Sequence, residues 1–195
     1  MRKILFPAIW LTVLLTFYSC KKDNEQAASV TGNWKFVTLH AQNQSLAQYN
    51  DGVDDLKTIT YAAYITENNT GSIMFDGTNA TITGIGYSAN STASAYFFIN
   101  EAITDSSAIP FTVNISPITS TSAYHIIGRD SIMFTSVSMG AQTSTGATAS
   151  GGRFSISGDV LTLTSRILKD TLMDMGGIMV NNHEYVSATM TFQRQ

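Results

Sequence analysis

Short strand-like segments recur along this chain, each followed by turn residues, and this spacing restricts the fold more than any other feature. The last of them, "EYVSATMTFQR", is the clearest, with Val186, Ala188, Met190 and Phe192 on one face and polar residues on the other. Charged residues make up only 13% of the chain, a share that argues against long surface helices. The pattern predicts an all-β chain folded as a sandwich or a barrel.

Turn chemistry predicts where some of these strands reverse. "IIGRDSI" and "FSISGDVLTLT" indicate two hairpins, the second turning at Gly158-Asp159. "ENNTGS", which separates "TITYAAYIT" from "SIMF", indicates a third hairpin turn. Pro110 and Pro117 bracket "FTVNIS" and predict an edge piece or a loop.

Three segments lack a strand pattern. "QNQSLAQYNDGVDDL", residues 42–56, is predicted to hold a short helix or an irregular lid. Residues 138–152 are small and polar throughout and are predicted to form a mobile loop. Residues 21–31 show no periodicity either and are predicted to form a flexible tether.

The first twenty residues have the plan of an export signal. Arg2 and Lys3 precede an apolar run that ends near Tyr18, which is shorter than the ~20 apolar residues that a spanning helix needs. Ser19, a small residue, directly precedes Cys20, the only cysteine of the chain. An ordinary signal peptide followed by a buried or stray thiol would also fit.

This junction resembles the lipobox of bacterial lipoproteins. The resemblance implies that a diacylglycerol is attached to the Cys20 thiol, that the chain is cut before it, and that the new amino terminus is acylated. Three acyl chains would hold the protein on a membrane almost irreversibly, because each buried methylene contributes ~0.8 kcal/mol. Lys21 follows the cysteine where an aspartate would favour the inner membrane, so we expect an outer-membrane lipoprotein, on the periplasmic face or the cell surface.

The predicted organisation is therefore a signal peptide over residues 1–19, a tether over 20–31 and one domain over 32–195. Removal of the two positive charges of Arg2 and Lys3 changes the formal net charge from −3 to −5, and no basic patch with interleaved aromatic residues remains. Nucleic-acid partners are therefore not expected. With its thiol carrying lipid, the mature domain would have no disulfide.

A second resemblance concerns the domain. "GNWKF", residues 32–36, the successive hairpins and the ending "TFQRQ" resemble the lipocalin-like domains of bacterial lipoproteins. The resemblance implies an antiparallel up-and-down β-barrel of about eight strands. It also implies that Trp34 plugs the closed end and that Arg194 lies across its ring, a cation–π contact of ~0.5–2 kcal/mol.

An eight-stranded barrel holds either side chains or one small ligand in its interior. We therefore expect a small apolar or amphipathic ligand, although the same residues could simply fill a solid core. The candidate lining residues are Phe36, Tyr61, Phe75, Phe97, Phe134, Phe154, Leu163, Met190 and Phe192. The alternative function is an interaction module, an accessory subunit or inhibitor, acting on a protein partner through loops 43–57, 138–152 and 169–183.

Catalysis and metal binding find little support in the sequence. His40, His125 and His183 are far apart and none has the spacing of a metal-binding pair, and no G-x-S-x-G motif occurs. The cluster of Asp51, Asp54 and Asp55 does not fit the EF-hand template for Ca²⁺. The sequence predicts a protein that is not an enzyme and has no catalytic residues, cofactor or metal.

Overall fold

The structure is a computed structural model that describes residues 29–135 and 151–195, in which all the regular structure is β-strand. The predicted all-β class is confirmed. Cys20 with the preceding signal segment, the tether up to residue 28 and residues 136–150 lie outside the described residues. The strands are β1 Gly32–Asn50, β2 Asp55–Ile65, β3 Glu67–Phe75, β4 Asn79–Ile99, β5 Ala102–Ile127, β6 Ser131–Phe134, β7 Gly151–Ser157, β8 Val160–Asp174 and β9 Met179–Arg194.

One antiparallel sheet contains all of these strands and returns to its start through a pairing of β1 with β9. β2 and β3 are two segments of one bent strand, because residues 40–50 of β1 pair with β2 and residues 32–35 pair with β3. At the start of β1 the neighbouring strand is β3 and not β2. Eight of the nine strands therefore form a ring at that level. This confirms the predicted up-and-down arrangement of about eight antiparallel strands.

The ring is closed over only part of its height. β6 pairs with no more than residues 124–127 of β5, and β7 pairs with residues 160–164 of β8. The part of the sheet at the level of the short strands β6 and β7 has a complete circle of strand pairing and is here named the closed ring. It consists of residues 32–41, 67–75, 79–87, 115–127, 131–134, 151–157, 160–165 and 187–194.

The longer strands continue beyond the closed ring as a sheet in the order β5, β4, β2, β1, β9, β8. Its outer strands, residues 102–114 of β5 and 166–174 of β8, have a partner on one side only among the described residues. The predicted edge character around Pro110 is therefore confirmed. This part, named the open sheet, consists of residues 42–50, 55–65, 88–99, 102–114, 166–174 and 179–186.

Bulges mark the junction between the two parts. The register shifts between Phe36 and Thr38 in β1, and it shifts again on both sides of Thr70 in β3. Gly71 has φ +87°, and a Cβ there would lie 2.4 Å from the backbone of Gly84, so only glycine fits. Because bulges bend strands and increase their twist, they explain how long strands serve both the ring and the sheet.

Three expectations about loops are wrong. Residues 169–183, expected as a loop, are the end of β8, a turn and the start of β9. "ENNTGS" is not a hairpin turn: it is the bulged start of β3, where Asn68 and Gly71 adopt positive φ. Residues 42–56 form neither a helix nor a lid but the end of β1, a turn and the start of β2. The end of β1 and the start of β2 both pair with neighbouring strands, and this pairing overrides the weak strand pattern of the local sequence. The hairpins at "IIGRDSI" and "FSISGDVLTLT" are confirmed.

The hydrophobic core lies inside the closed ring. Val186, Ala188, Met190 and Phe192 are all buried, which confirms the predicted inward face of β9. The largest fully buried side chains all belong to the closed ring; they are Trp34, Phe36, Leu39, Ile73, Phe75, Leu161 and Phe192.

Candidate functional site

Trp34 and Arg194 meet at the end of the closed ring where the chain enters and leaves it. The Trp34 side chain is fully buried and its Nε1 donates a hydrogen bond of 2.7 Å to the carbonyl of Val30. The Arg194 guanidinium lies over the indole, with Cζ 4.2 Å from the ring centroid. The contact that the resemblance implied is therefore present, and its geometry is that of a cation–π pair.

Gly32 makes room for this pair, a role that the sequence did not reveal. Its φ is +129°, and a Cβ at this position would lie 3.2 Å from Nη1 of Arg194. Any other residue would be strained in the backbone and would press on the guanidinium. The glycine and the tryptophan of "GNW" thus act on the same arginine, one by leaving space and one by stacking.

The predicted lining residues separate into three groups. Seven belong to the single buried core cluster of the closed ring, where Phe36 and Phe192 pack with ring centroids 5.6 Å apart. These seven are Phe36, Phe75, Phe134, Phe154, Leu163, Met190 and Phe192. They pack against one another, and a cavity lined by Phe134, Leu163 and Met190 has a volume of only about 20 Å³, so this core is filled.

Tyr61 and Phe97 do not join that cluster. Tyr61 points away from the interior, on the outer face of the open sheet, and is 45% exposed, so its assignment as a lining residue is wrong. The reason is register: Tyr61 pairs with Gln44, whose neighbours Asn43 and Ser45 have the inward parity of β1. Phe97 has inward parity but lies in the open sheet and is 37% exposed.

The inner face of the open sheet combines polar and apolar side chains. Glu184 is buried there, and Asn43 donates a hydrogen bond of 3.2 Å from Nδ2 to its Oε1. Phe97, Ile99 and Ile109 share this face and remain exposed. The inner face thus offers an amphipathic surface above the filled core.

Two tyrosines lie where the open sheet meets the closed ring. The hydroxyls of Tyr64 and Tyr87 hydrogen bond to each other. Burial raises the pKa of Tyr64, and burial together with the neighbouring Tyr64 raises the pKa of Tyr87 further. Both phenols stay neutral at physiological pH, so the pair is a structural contact rather than an acid–base centre.

The outer face of the open sheet carries a groove with a volume of about 410 Å³. Tyr61 on β2 and Tyr185 on β9 stand on either side of Gln44 on β1, because both pair with it in register. The other side chains that line the groove on this face are Gln42, Ala63, Thr92 and Ser94. Aromatic rings, amides and hydroxyls, with no charged side chain, therefore form its wall.

A histidine–aspartate pair lies on the same outer face. Nδ1 of His183 is 2.7 Å from Oδ1 of Asp170, its register partner across β8 and β9, and both side chains are largely exposed. The neighbour of His183 on β1 is Leu46, which offers no reactive group. Sequence reasoning missed this pair because the two residues are brought together only by strand register. The arrangement provides a surface hydrogen bond between the two strands.

The aspartates that were considered as a Ca²⁺ site form hydrogen bonds that stabilise the turns in which they lie. Oδ1 of Asp51 accepts hydrogen bonds from the backbone amides of Val53 and Asp54, which hold the pKa of Asp51 below its usual range. Asn50 and Asn100 donate to the carboxylates of Asp55 and Asp54. Within residues 29–135 and 151–195, no group of three or more histidine, cysteine, aspartate or glutamate residues has the geometry of a metal site.

No protein-family model and no curated protein matches this chain. In the described part of the chain, no helix is both long enough and apolar enough to span a membrane.

Proposed function

We propose that this chain is a non-enzymatic binding protein, anchored by lipid at Cys20 to the outer membrane, that uses the open sheet as its binding surface. The observation that carries the proposal is the difference in filling between the two parts. The closed ring packs its aromatic side chains into one buried cluster, whereas the open sheet presents a groove and exposed rings. Stable exposed patches of this kind are typical of interaction sites.

The closed ring then acts as a rigid base. Its filled core supports a structural role, because a ligand in that space would have to displace several packed aromatic side chains at a cost of several kcal/mol. The termini of the domain meet at Trp34 and Arg194, so a tether that precedes Gly32 leaves from the ring end. The open sheet extends from the opposite end, where its hairpins point away from the site of attachment.

A second candidate is a carrier of one small amphipathic ligand, as the sequence suggests. It is favoured by Phe97, Ile99 and Ile109, which are exposed on the inner face of the open sheet next to buried polar groups. Such a ligand would lie above the filled core. Native mass spectrometry of the purified protein tests for it, since a carrier retains a lipid-sized molecule that Phe97→Glu releases.

Hydrogen exchange with a panel of soluble ligands tests the main proposal. A neutral oligosaccharide mixture, phospholipid micelles and a peptide library are each added to the full chain, and amide protection is mapped. We expect protection confined to residues 42–50, 55–65, 88–99 and 179–186. Protection by an apolar ligand inside the closed ring, with none in the open sheet, would contradict the proposal.

The anchor is tested separately. Cys20→Ala is expected to leave an unprocessed or soluble product, and Cys20→Ser gives a matched control in which the side chain is nearly isosteric but carries no thiol. Detergent-phase partitioning of the parent and both variants provides the readout. Unchanged partitioning of Cys20→Ala would contradict lipidation.

A further inference from the structure

We propose that the groove between Tyr61 and Tyr185 binds a neutral oligosaccharide, an extended chain of glucose- or xylose-type rings whose flat faces stack on the two phenols. This inference rests on the proposed function and names its ligand class. A sugar ring with equatorial hydroxyls has apolar C–H faces and a polar rim. A site for it therefore needs aromatic platforms beside neutral hydrogen-bonding groups, and the outer face of the open sheet combines both.

The two tyrosines are placed by strand register. Tyr61 pairs with Gln44 across β2 and β1, and Gln44 pairs with Tyr185 across β1 and β9. The phenols thus stand two strand spacings apart, about 10 Å at the usual separation of strands. Alternate rings of an extended sugar chain can occupy the two platforms, with the ring between them lying over Gln44.

The Tyr61 platform is held in place before any ligand arrives. Tyr96 contacts it edge to face, with ring centroids 6.3 Å apart and an interplanar angle of 72°. Edge-to-face contacts of this kind stabilise a particular ring orientation. Because Tyr61 is still 45% exposed, one side of the pair is available for stacking. A pre-oriented ring loses little conformational entropy on binding, which favours affinity.

The remaining lining side chains match the rim of a sugar. Gln42 and Gln44 each offer both donors and acceptors, and Thr92 and Ser94 add hydroxyls. Ala63, which is small, leaves space above the sheet between these groups. A volume of about 410 Å³ lies within the range of ~300–1,000 Å³ that is typical of sites for small ligands.

Other ligand classes fit this groove less well. A fatty chain would leave the glutamine amides without hydrogen-bond partners, which is unfavourable for buried polar groups. A nucleic acid or an acidic glycan requires Lys or Arg at the contact, and the groove is lined by uncharged side chains. The lining therefore favours a ligand that is itself uncharged and rich in hydroxyls.

Isothermal titration of the full chain in detergent tests the inference, with cellohexaose, xylohexaose and an acidic control, a galacturonate hexamer. We expect at least one neutral hexamer to bind and the acidic one not to. Tyr61→Ala and Tyr185→Ala should each weaken binding by roughly tenfold or more, whereas the corresponding Tyr→Phe variants, which keep the ring, should retain most of it. Met74→Ala is the control, since it removes an exposed apolar side chain from β3 of the closed ring, away from the groove.

Three results would overturn the inference: no binding of either neutral hexamer at millimolar concentration, preference for the acidic hexamer, or binding that survives both tyrosine-to-alanine changes. If the open sheet is protected by phospholipid or peptide and not by these sugars, the sugar assignment fails and the proposed function stands. If the sugars protect only the closed ring, both fail. Circular dichroism of each variant establishes that the sheet is intact.

Discussion

The closed ring and the open sheet are made from the same long strands but bury their side chains very differently. In the closed ring, inward residues are large and apolar, and Trp34, Phe36 and Phe192 are almost completely removed from solvent. In the open sheet, inward positions are frequently small or polar, as at Asn43 and Ser45. Folding energy is thus concentrated in one half of the molecule, which leaves the other half available for contacts.

Exposed apolar side chains show the same contrast. The open sheet exposes Tyr61, Ile65, Tyr96, Phe97, Ile99, Ile103, Ile109, Leu168, Leu172, Met173 and Met179. The closed ring exposes fewer: Val37, Met74, Ile118, Ile126, Ile127 and Met133. Single exposed apolar residues are ordinary, whereas their concentration in one part of a molecule is informative.

The edges of the open sheet carry protection against pairing with other chains. β5 contains Pro110, which lacks a backbone donor, and an irregular register at Asp105. The edge of β8 carries Arg166, Lys169 and Asp170. These features disfavour sheet extension by a second strand and direct binding to the faces of the sheet instead.

Truncation of matched phenylalanines should give the largest difference between the two parts. Phe192→Ala is expected to lower the free energy of unfolding by about 3–5 kcal/mol, because it leaves a cavity in the filled core. Phe97→Ala should cost about 1 kcal/mol, since its ring is already partly in solvent. Urea denaturation of both variants provides the measurement.

Phe192→Leu is the control in case Phe192→Ala fails to fold. It keeps an apolar side chain of similar size and should cost less than about 2 kcal/mol. Equal losses for the alanine variants of Phe192 and Phe97 would show that the two parts share one core, against the division proposed here.

The second prediction concerns the end of the closed ring. Arg194→Ala should lower the free energy of unfolding by about 0.5–2 kcal/mol through loss of the contact with Trp34. Gly32→Ala should cost about 1–3 kcal/mol because of its positive φ and its approach to Arg194. Thermal or urea denaturation is the readout.

A double-mutant cycle sharpens this prediction. In the Arg194→Ala background the approach to Nη1 is gone, so Gly32→Ala should cost less than it does in the parent, by about 0.5 kcal/mol or more. Additive losses would mean that Gly32 acts only through its backbone conformation. Arg194→Lys tests the planar guanidinium, because lysine keeps the charge but stacks less well.

Sequence patterns were sufficient for the class of fold, and the family resemblance carried by "GNWKF" implied the Trp34–Arg194 contact. Neither was sufficient for the division of the molecule. The alternation in β9 and the turn at Gly158-Asp159 are local signals, and both are confirmed. The length of β4 and β5 was hidden, because "GIGY" and "SAYFFIN" looked like separate strands when they belong to one. The sequence of a long strand does not show at which residue the strand loses its pairing partner on one side.

The outer-face groove was missed for a related reason. Tyr61 looked like an interior residue by composition, and the face it occupies is set by its register with Gln44. A shift of one residue exchanges the faces of a strand, so the error follows directly from an unassigned register. The bulges at Phe36/Thr38 and around Thr70 also change inward parity partway along strands, and no local motif announces them.

Hydrogen exchange should rank the two parts by local stability. Amides of residues 102–114 and 166–174 lie on edges with one partner strand among the described residues, and we expect them to exchange much faster than those of 32–36 and 188–192. Residues 56–61, which have partners on both sides, should fall between these groups. Uniform protection across all strands would contradict the concentration of stability in the closed ring.

The smallest effect is expected at two turns that use the same device in the two parts. Oδ1 of Asp76, in the β3–β4 turn of the closed ring, accepts hydrogen bonds from the amides of Thr78 and Asn79 at 2.8 and 2.6 Å, as Asp51 does in the β1–β2 turn of the open sheet. These bonds lower the pKa of both carboxyls. Each turn is therefore stabilised above the ordinary aspartate pKa of 3.8 and loses that stabilisation as pH falls through the lowered pKa.

Asp76→Ala should accordingly reduce global stability at neutral pH and flatten its acid dependence, because the closed ring unfolds as the cooperative unit. Asp51→Ala should change mainly the exchange of amides 50–56, with a smaller effect on the urea midpoint. Asp→Asn at either position is the conservative control, since the amide oxygen still accepts from the turn but does not titrate. If Asp51→Ala shifts the urea midpoint as much as Asp76→Ala, the open sheet contributes to global stability as strongly as the ring, and the contrast between the two parts is limited to their exposed surfaces.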